Sequence, residues 1–450
     1  MNTTEHSISN RKHQIVRYIA GGVLAVTLII YTILGINSSF RVNDTGLGYK
    51  LIYTDLTAPW SASKGLWIAG LDPYSPEGNA FVETATFGRP LTPADKIGDT
   101  RHFVYPLYIV FLYAPTIFLD FSSVMLLVWA ISLILVTISI ILWLKMIELQ
   151  ISLFSLLVPT ALFLLWPATL GSTLQRQPVI FAFFFLSVGM YLIMNTRVSG
   201  LWSGMLLFLS TVKPQAAVFA IAYILLTGLP SRIRSGQTRN VWIGFLVTGV
   251  ILLALSLLLV PTWLTEFLVA LAKYRAYAGT TGAESFLRSR GVLSIIMSGI
   301  MIIIGIVAAL AGGNNREKSY HCTMAAYALV LQLFVFPAHA YDFILCIPAL
   351  MVILKFAFEL LQNHQNSRTR PAVGAAVLVL LSYIAFKFWL TLVSLSQFTL
   401  PAQVNTLFRQ SLNSFALIGL FDIGPVLLFL LLVIILVQNA PFDRPFRNST

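Results

Sequence analysis

Long apolar runs separated by short polar punctuation dominate the chain. Residues 21–36, 122–144, 241–261, 291–311 and 413–437 hold almost no charge. Crossing a bilayer as a helix takes about 20 predominantly apolar residues, and runs of this kind are the signature of membrane-spanning helices. Spans are predicted over 15–36, 103–119, 122–147, 151–170, 178–194, 200–228, 240–261, 291–311, 321–336, 340–361, 372–395 and 413–437, twelve in all. Lys213-Pro214 interrupts the stretch 200–228, which reads as one kinked span or two short ones because proline breaks the helical hydrogen-bond ladder. Residues 103–119 read as a span or as a partly interfacial segment, so thirteen segments stay open.

Composition supports this reading. The 450 residues are 57% hydrophobic and 10% charged, against about 25% charged in a soluble domain. Soluble and fibrous classes are excluded. The net charge of +12 comes from 29 Lys and Arg against 17 Asp and Glu. It sits in short loops rather than on a soluble basic domain, which argues against a nucleic-acid partner.

The same loops orient the chain. Arg232, Arg234 and Arg239, then Arg316 and Lys318, then Arg368 and Arg370 mark three connections as cytoplasmic, and Arg11, Lys12 and Arg17 place the N-terminus with them. No small-residue cleavage site follows the first apolar run, which reads as a retained signal anchor. The expectation is an all-α, polytopic bundle of about 12–13 spans in the plasma or inner membrane. Residues 1–14 form a cytoplasmic tail and 15–450 a single transmembrane domain. Cys322 and Cys346 lie in apolar runs, where a thiol behaves as a small hydrophobe.

The loops at 37–102, 262–290 and 396–412 then face the extracytoplasmic side. The first holds Asp44, Asp55, Asp72, Glu77, Glu83, Asp95 and Asp99, seven of the 17 carboxylates. A loop this long usually carries function. Within it, residues 58–69 predict a short helix along the membrane surface with Trp60 and Trp67 as anchors. Gly70-Leu71-Asp72-Pro73-Tyr74 predicts a turn.

Several features stand in a recognisable order: Asp55 after the first span, then Ala58, Ala62 and Ala69, then Gly70, Pro73 and Tyr74, then Tyr105-Pro106-Leu107. Lys213-Pro214-Gln215 and His339-Ala340-Tyr341-Asp342 with Pro348 follow further on. This order resembles the GT-C superfamily of membrane glycosyltransferases, and within it the family 87-like branch of polyprenol-phosphate-mannose-dependent mannosyltransferases. The resemblance covers most of the chain. Leu107 stands where that branch has a second proline, and Leu174-Gln175-Arg176-Gln177 replaces its Gly-Gln-x-Asn.

The resemblance implies inverting transfer of a hexose, with mannose the first expectation, from a polyprenyl-phosphate donor to a lipid or glycan acceptor at the extracytoplasmic face. Asp55 is the expected base, because its loop position puts a carboxylate at the outer membrane face. Asp44 and Asp72 are rivals, although an Asp before proline in a turn commonly caps its own backbone.

Lys213 is the expected donor-phosphate ligand, since a cation inside an apolar stretch is costly and functional by default. A lysine snorkelling to the interface is the plain alternative. Lys273, Arg275, Arg288 and Arg290 gather in the 262–290 loop despite the usual depletion of cations on that side, and they suit either the donor phosphate or lipid headgroups.

His339, Asp342, Gln175, Gln177, Tyr74 and Tyr105 are the expected substrate-orienting groups, with a self-satisfying buried His339–Asp342 pair as the alternative. Arg101 and His102 read as interfacial anchors. No paired Asp-x-Asp occurs, so neither metal nor cofactor is expected. A transporter or flippase of lipid-linked sugars, motivated by Lys213 and Lys387, and a ligase or polymerase of lipid-linked glycans are the competing classes.

Overall fold

A computed structural model describes residues 3–40, 43–44, 50–51, 54–95, 100–148, 153–195, 200–227, 237–278, 292–311, 317–336, 339–362 and 431–433. The described chain is helical apart from one pair of two-residue strands, β1 (Asn43–Asp44) and β2 (Lys50–Leu51), antiparallel with Asn43 opposite Leu51.

Helix α1 (Thr3–Ser39) begins inside the stretch read as a tail. After the strand pair come α2 (Thr57–Ala69) and α3 (Pro76–Phe87), joined by the expected turn. Gly70 stops α2 in the left-handed conformation at φ 64°, which glycine adopts without penalty. Asp72 Oδ1 accepts from the Tyr74 amide at 2.9 Å, so its capping role holds. Ser75 then caps α3, its Oγ accepting from Gly78 N at 3.0 Å, with Pro76 in the first turn. Helix α2 is not a surface float. Residues Thr57 to Ser63 are all buried, including Trp60, and only its last turn exposes Trp67 and Ile68.

The predicted span 103–119 is not one helix. It forms the short α4 (Ile109–Tyr113) and a 3₁₀ turn (Ala114–Thr116), because Pro106 and Pro115 each remove a ladder donor. Helix α5 (Phe121–Met146) follows, capped by Asp120, whose Oδ2 accepts from Ser123 N at 2.9 Å. Next come α6 (Leu153–Leu164) and α7 (Pro167–Leu174), bent by 63° at the Trp166-Pro167 break, and α8 (Val179–Asn195).

Two short helices, α9 (Gly200–Leu209) and α10 (Val218–Leu226), flank the break at Lys213-Pro214. Helix α11 (Gln237–Leu259) leads to α12 (Trp263–Ala278), a helix where the sequence reading placed only loop. Then follow α13 (Val292–Ala311), α14 (Lys318–Val335), a 3₁₀ helix (Ala340–Cys346) and α15 (Ile347–Gln362). The predicted spans 372–395 and 413–437 lie outside the described residues, except for helical 431–433.

Among the described residues four helices are long and apolar enough to cross a membrane, five if the bent α6–α7 pair is one span. The protein is therefore a helical membrane protein. Its outer surface agrees: Ile29 and Ile33 on α1 and Val250 and Leu258 on α11 are largely exposed, as lipid-facing side chains are. Inside, α8 and α14 are buried along most of their length. Helices α9 and α11 cross at backbone contact. A Cβ on Gly204 would strike the backbone of Val241 and Phe245, and one on Gly244 would strike that of Leu201. Small residues permit such crossings in membranes, where van der Waals packing drives association.

Candidate functional site

Asp55 sits two residues ahead of α2, in a turn held to a distant one. Thr54 Oγ1 donates to the Gln175 carbonyl at 2.9 Å and accepts from Leu56 N at 3.3 Å. The Asp55 carboxylate accepts from Arg101 on Oδ1 and from the Gln177 side-chain amide on Oδ2. Only 15% of the Asp55 side chain and 21% of that of Arg101 are exposed. A charge-assisted bond on one oxygen and a neutral one on the other fix the plane of the carboxylate. Each oxygen keeps a second lone pair for a ligand.

Among the described residues, two of the three non-glycine residues with left-handed backbone flank this carboxylate, Arg101 at φ 58° and Arg176 at φ 54°. Each such position costs on the order of 1–3 kcal/mol and persists where surroundings enforce it, as at functional sites. For Arg176 the enforcement is visible. Its buried guanidinium donates to Met125 O (3.2 Å), Ser38 Oγ (3.0 Å), Ser39 Oγ (2.6 Å) and Gly35 O (3.3 Å), and also to Leu174 O. It thereby ties the end of α1 to the Gln175–Gln177 turn. Burial pushes this group down to about 10, which leaves it charged at neutral pH.

Lys213 and Asp342 come together across the bundle. The ammonium stands 2.5 Å from Asp342 Oδ1 and 4.9 Å from the centre of the Tyr341 ring. Asp342 Oδ2 accepts from His339 N at 3.0 Å, capping the 3₁₀ helix, so the expected His339–Asp342 relationship is a backbone cap. The His339 ring instead bonds through Nε2 to Tyr274 Oη at 2.5 Å. Ser172 Oγ donates to Tyr341 O at 2.7 Å, joining α7 to this segment. Tyr105 and Tyr341 lie within electrostatic range of both Asp55 and Asp342, so the two carboxylates belong to one region.

Tyr74 donates to the Tyr105 carbonyl at 2.6 Å and packs edge-on against Phe103. Burial pushes its phenol well above the ordinary range, so it acts as a neutral donor. Beside it a cavity of about 220 Å³ opens between the first loop and α12, where Lys273 and Tyr274 form part of the wall.

Of the expected residues, Asp55 and Gln177 make direct contact, Gln175 joins through its backbone, and Lys213, Asp342, His339, Tyr74 and Tyr105 all fall in the same region. Arg275 lies within α12, and Arg288 and Arg290 are outside the described residues. Two readings are corrected. Arg101 and His102 are not interfacial anchors: Arg101 holds Asp55, and His102 Nε2 lies 2.7 Å from Glu83. The signal in the sequence was their place just before the Tyr105-Pro106 motif. Among the described residues no three His, Cys, Asp or Glu side chains gather closely enough to hold a metal ion. No family model, no curated protein and no solved structure matches the chain.

Proposed function

We propose that the chain is a GT-C-like glycosyltransferase of about 12–13 spans, with a cytoplasmic N-terminus and an extracytoplasmic active site in the plasma or inner membrane. It transfers a hexose, mannose in the first instance, from a polyprenyl-phosphate donor to a lipid or glycan acceptor. The observation that carries the reading is the Asp55 carboxylate held between Arg101 and Gln177, beside the buried Lys213–Asp342 pair.

In this reading Asp55 takes the acceptor hydroxyl proton as the acceptor oxygen bonds to the sugar C1. The bond from C1 to the phosphate oxygen breaks with inversion, and polyprenyl phosphate leaves with the electron pair. Positioned base catalysis contributes about 10²- to 10⁴-fold. The departing phosphate is stabilised by cations. Asp342 offsets the Lys213 charge and Asp55 that of Arg101, so Lys273 and Arg275 on α12 supply the surplus.

One observation favours transport of lipid-linked sugars instead. The break between α9 and α10 carries a buried ion pair, as the discontinuous helices of transporters often do. The experiment that separates the two is radiolabelled sugar transfer from polyprenyl-phosphate-mannose and polyprenyl-phosphate-glucose in membranes, with wild type and equally expressed Asp55→Asn. Transfer by the wild type and its loss in the variant support the glycosyltransferase. Movement of lipid-linked sugar across reconstituted vesicles without any transfer supports the transporter.

A further inference from the structure

The cavity between the first loop and α12 is not accounted for by the Asp55 chemistry, and its walls carry buried polar groups. Asn79 Oδ1 lines it, buried with no hydrogen-bond partner among the described residues, and so does the Glu266 carboxyl, whose Oε2 is buried and which Thr262 and Asp72 meet. Buried acceptors in native proteins are nearly always satisfied, and each exception asks for a missing donor. The Asn79 orientation is fixed, because its Nδ2 donates to Tyr74 O at 3.3 Å and turns the oxygen away from that bond.

His102 supplies a third polar group. Its Nε2 meets the Glu83 carboxylate at 2.7 Å, and that carboxylate is held by Leu91 N at 2.8 Å. That contact commits Nε2 and orients the ring, which leaves Nδ1 as its remaining polar atom. Phe103 and Tyr274 add aromatic walls.

An orphan amide oxygen, a buried carboxyl, an oriented imidazole and aromatic faces together suit a ring that presents hydroxyls on its edge and C–H groups on its face. The volume of about 220 Å³ lies below the roughly 300–1,000 Å³ of sites for drug-sized ligands. It has room for one ring rather than a chain.

We infer that this cavity binds a single monosaccharide ring of the acceptor, with Asn79 accepting from one of its hydroxyls and Glu266 and His102 hydrogen-bonding others. The inference rests on the glycosyltransferase reading for the word acceptor, but the binding site stands on the cavity itself. Ala270 of α12 forms part of the cavity wall.

The test uses the full chain in nanodiscs, with octyl mannoside and octyl glucoside as probes and octyl tetraethylene glycol as the tail control, followed by saturation-transfer NMR and calorimetry. Ala270→Trp fills the cavity, and Ala272→Trp puts the same bulk on the exposed side of the same helix. Ala270→Leu replaces the larger variant if that one does not fold. The expected result is saturable binding of at least one sugar probe, weakened tenfold or more by Ala270→Trp and unchanged by Ala272→Trp. The absence of saturable binding to either sugar, or equal binding in both variants, overturns the inference. Sugar binding without transfer from any donor refutes the glycosyltransferase reading and leaves the site standing. Transfer with an unchanged acceptor KM in Ala270→Trp refutes the site and leaves that reading standing.

Discussion

Lys213 and Asp342 form an ion pair at 2.5 Å with 6% and 5% of their side chains exposed, although 129 residues separate them. Removing one partner of such a pair leaves an uncompensated buried charge, which costs about 3–5 kcal/mol. Replacing both with apolar groups is far less harmful. Lys213→Met and Asp342→Leu are therefore each expected to lower thermal stability in detergent strongly, and the double variant to recover most of it. Sugar transfer is expected to stay lost in the double variant, since the charges would be gone while the fold remained. Recovery of transfer together with stability would make the pair purely structural.

Asp55 is held by partners rather than by packing, so its conversion to Asn alters charge more than shape. Asp55→Asn is expected to lower kcat about 10²- to 10⁴-fold, the usual contribution of a positioned base, with little change in donor KM. Steady-state transfer kinetics decide it. A variant that keeps wild-type kcat moves the base elsewhere.

Much of the helical scaffold was legible because its physics is local. The predicted 122–147 corresponds to α5 at Phe121–Met146, since an Asp cap and an uninterrupted apolar run mark both the start and the length. Lys213-Pro214 marks the break between α9 and α10 for the same reason, as a proline without an amide proton cannot continue the ladder. Helix α12 was missed because Pro261 and its polar last turns, with Lys273 and Arg275, read as a loop. The site was legible only in part. Lys213 stands out as a charge where charge is costly, and Asp55 and Asp342 through the order of their motifs, but the contact of Asp55 with Gln177 spans 122 residues, and no local pattern encodes it. Arg101 and His102 read as interfacial anchors and Arg176 as part of the Leu174–Gln177 motif, because their partners lie far from them in sequence.

Arg176 serves as a clamp, its planar fork meeting carbonyls and hydroxyls of Gly35, Ser38 and Ser39 at the end of α1. A lysine offers one point charge and cannot reproduce that fork. Arg176→Lys is expected to destabilise the protein by about 2 kcal/mol or more, as loss of a buried charged network does. Transfer is expected to fall as well, because the same turn presents Gln177 to Asp55. Thermal unfolding and single-turnover transfer in parallel check this, and a variant as stable as the wild type would refute the clamp.

Asp55 already accepts from an arginine and an amide, and among the described residues no three His, Cys, Asp or Glu side chains gather closely enough to hold a hard cation. Full transfer activity is therefore expected in excess chelator. Loss of activity that returns on adding one divalent cation would overturn that expectation.

Glu266 gives the pH dependence a sign. Burial raises its carboxyl above the ordinary range and the neighbouring Asp72 adds to the rise, against a hydrogen bond with Thr262. A carboxyl whose folded value exceeds its unfolded one stabilises the fold in its protonated form. That contribution is complete below the ordinary glutamate range and is lost as pH rises through the folded value. The packing of α12 against the first loop is therefore expected to be tightest below the ordinary glutamate range and to loosen as pH rises through the raised folded value of Glu266. Amide hydrogen exchange along Trp263–Ala278, followed against pH with correction for intrinsic exchange, measures this. Glu266→Gln carries no titrating proton and should flatten the profile at the tight end. A profile that keeps its slope in Glu266→Gln would assign the dependence to another group on the loop.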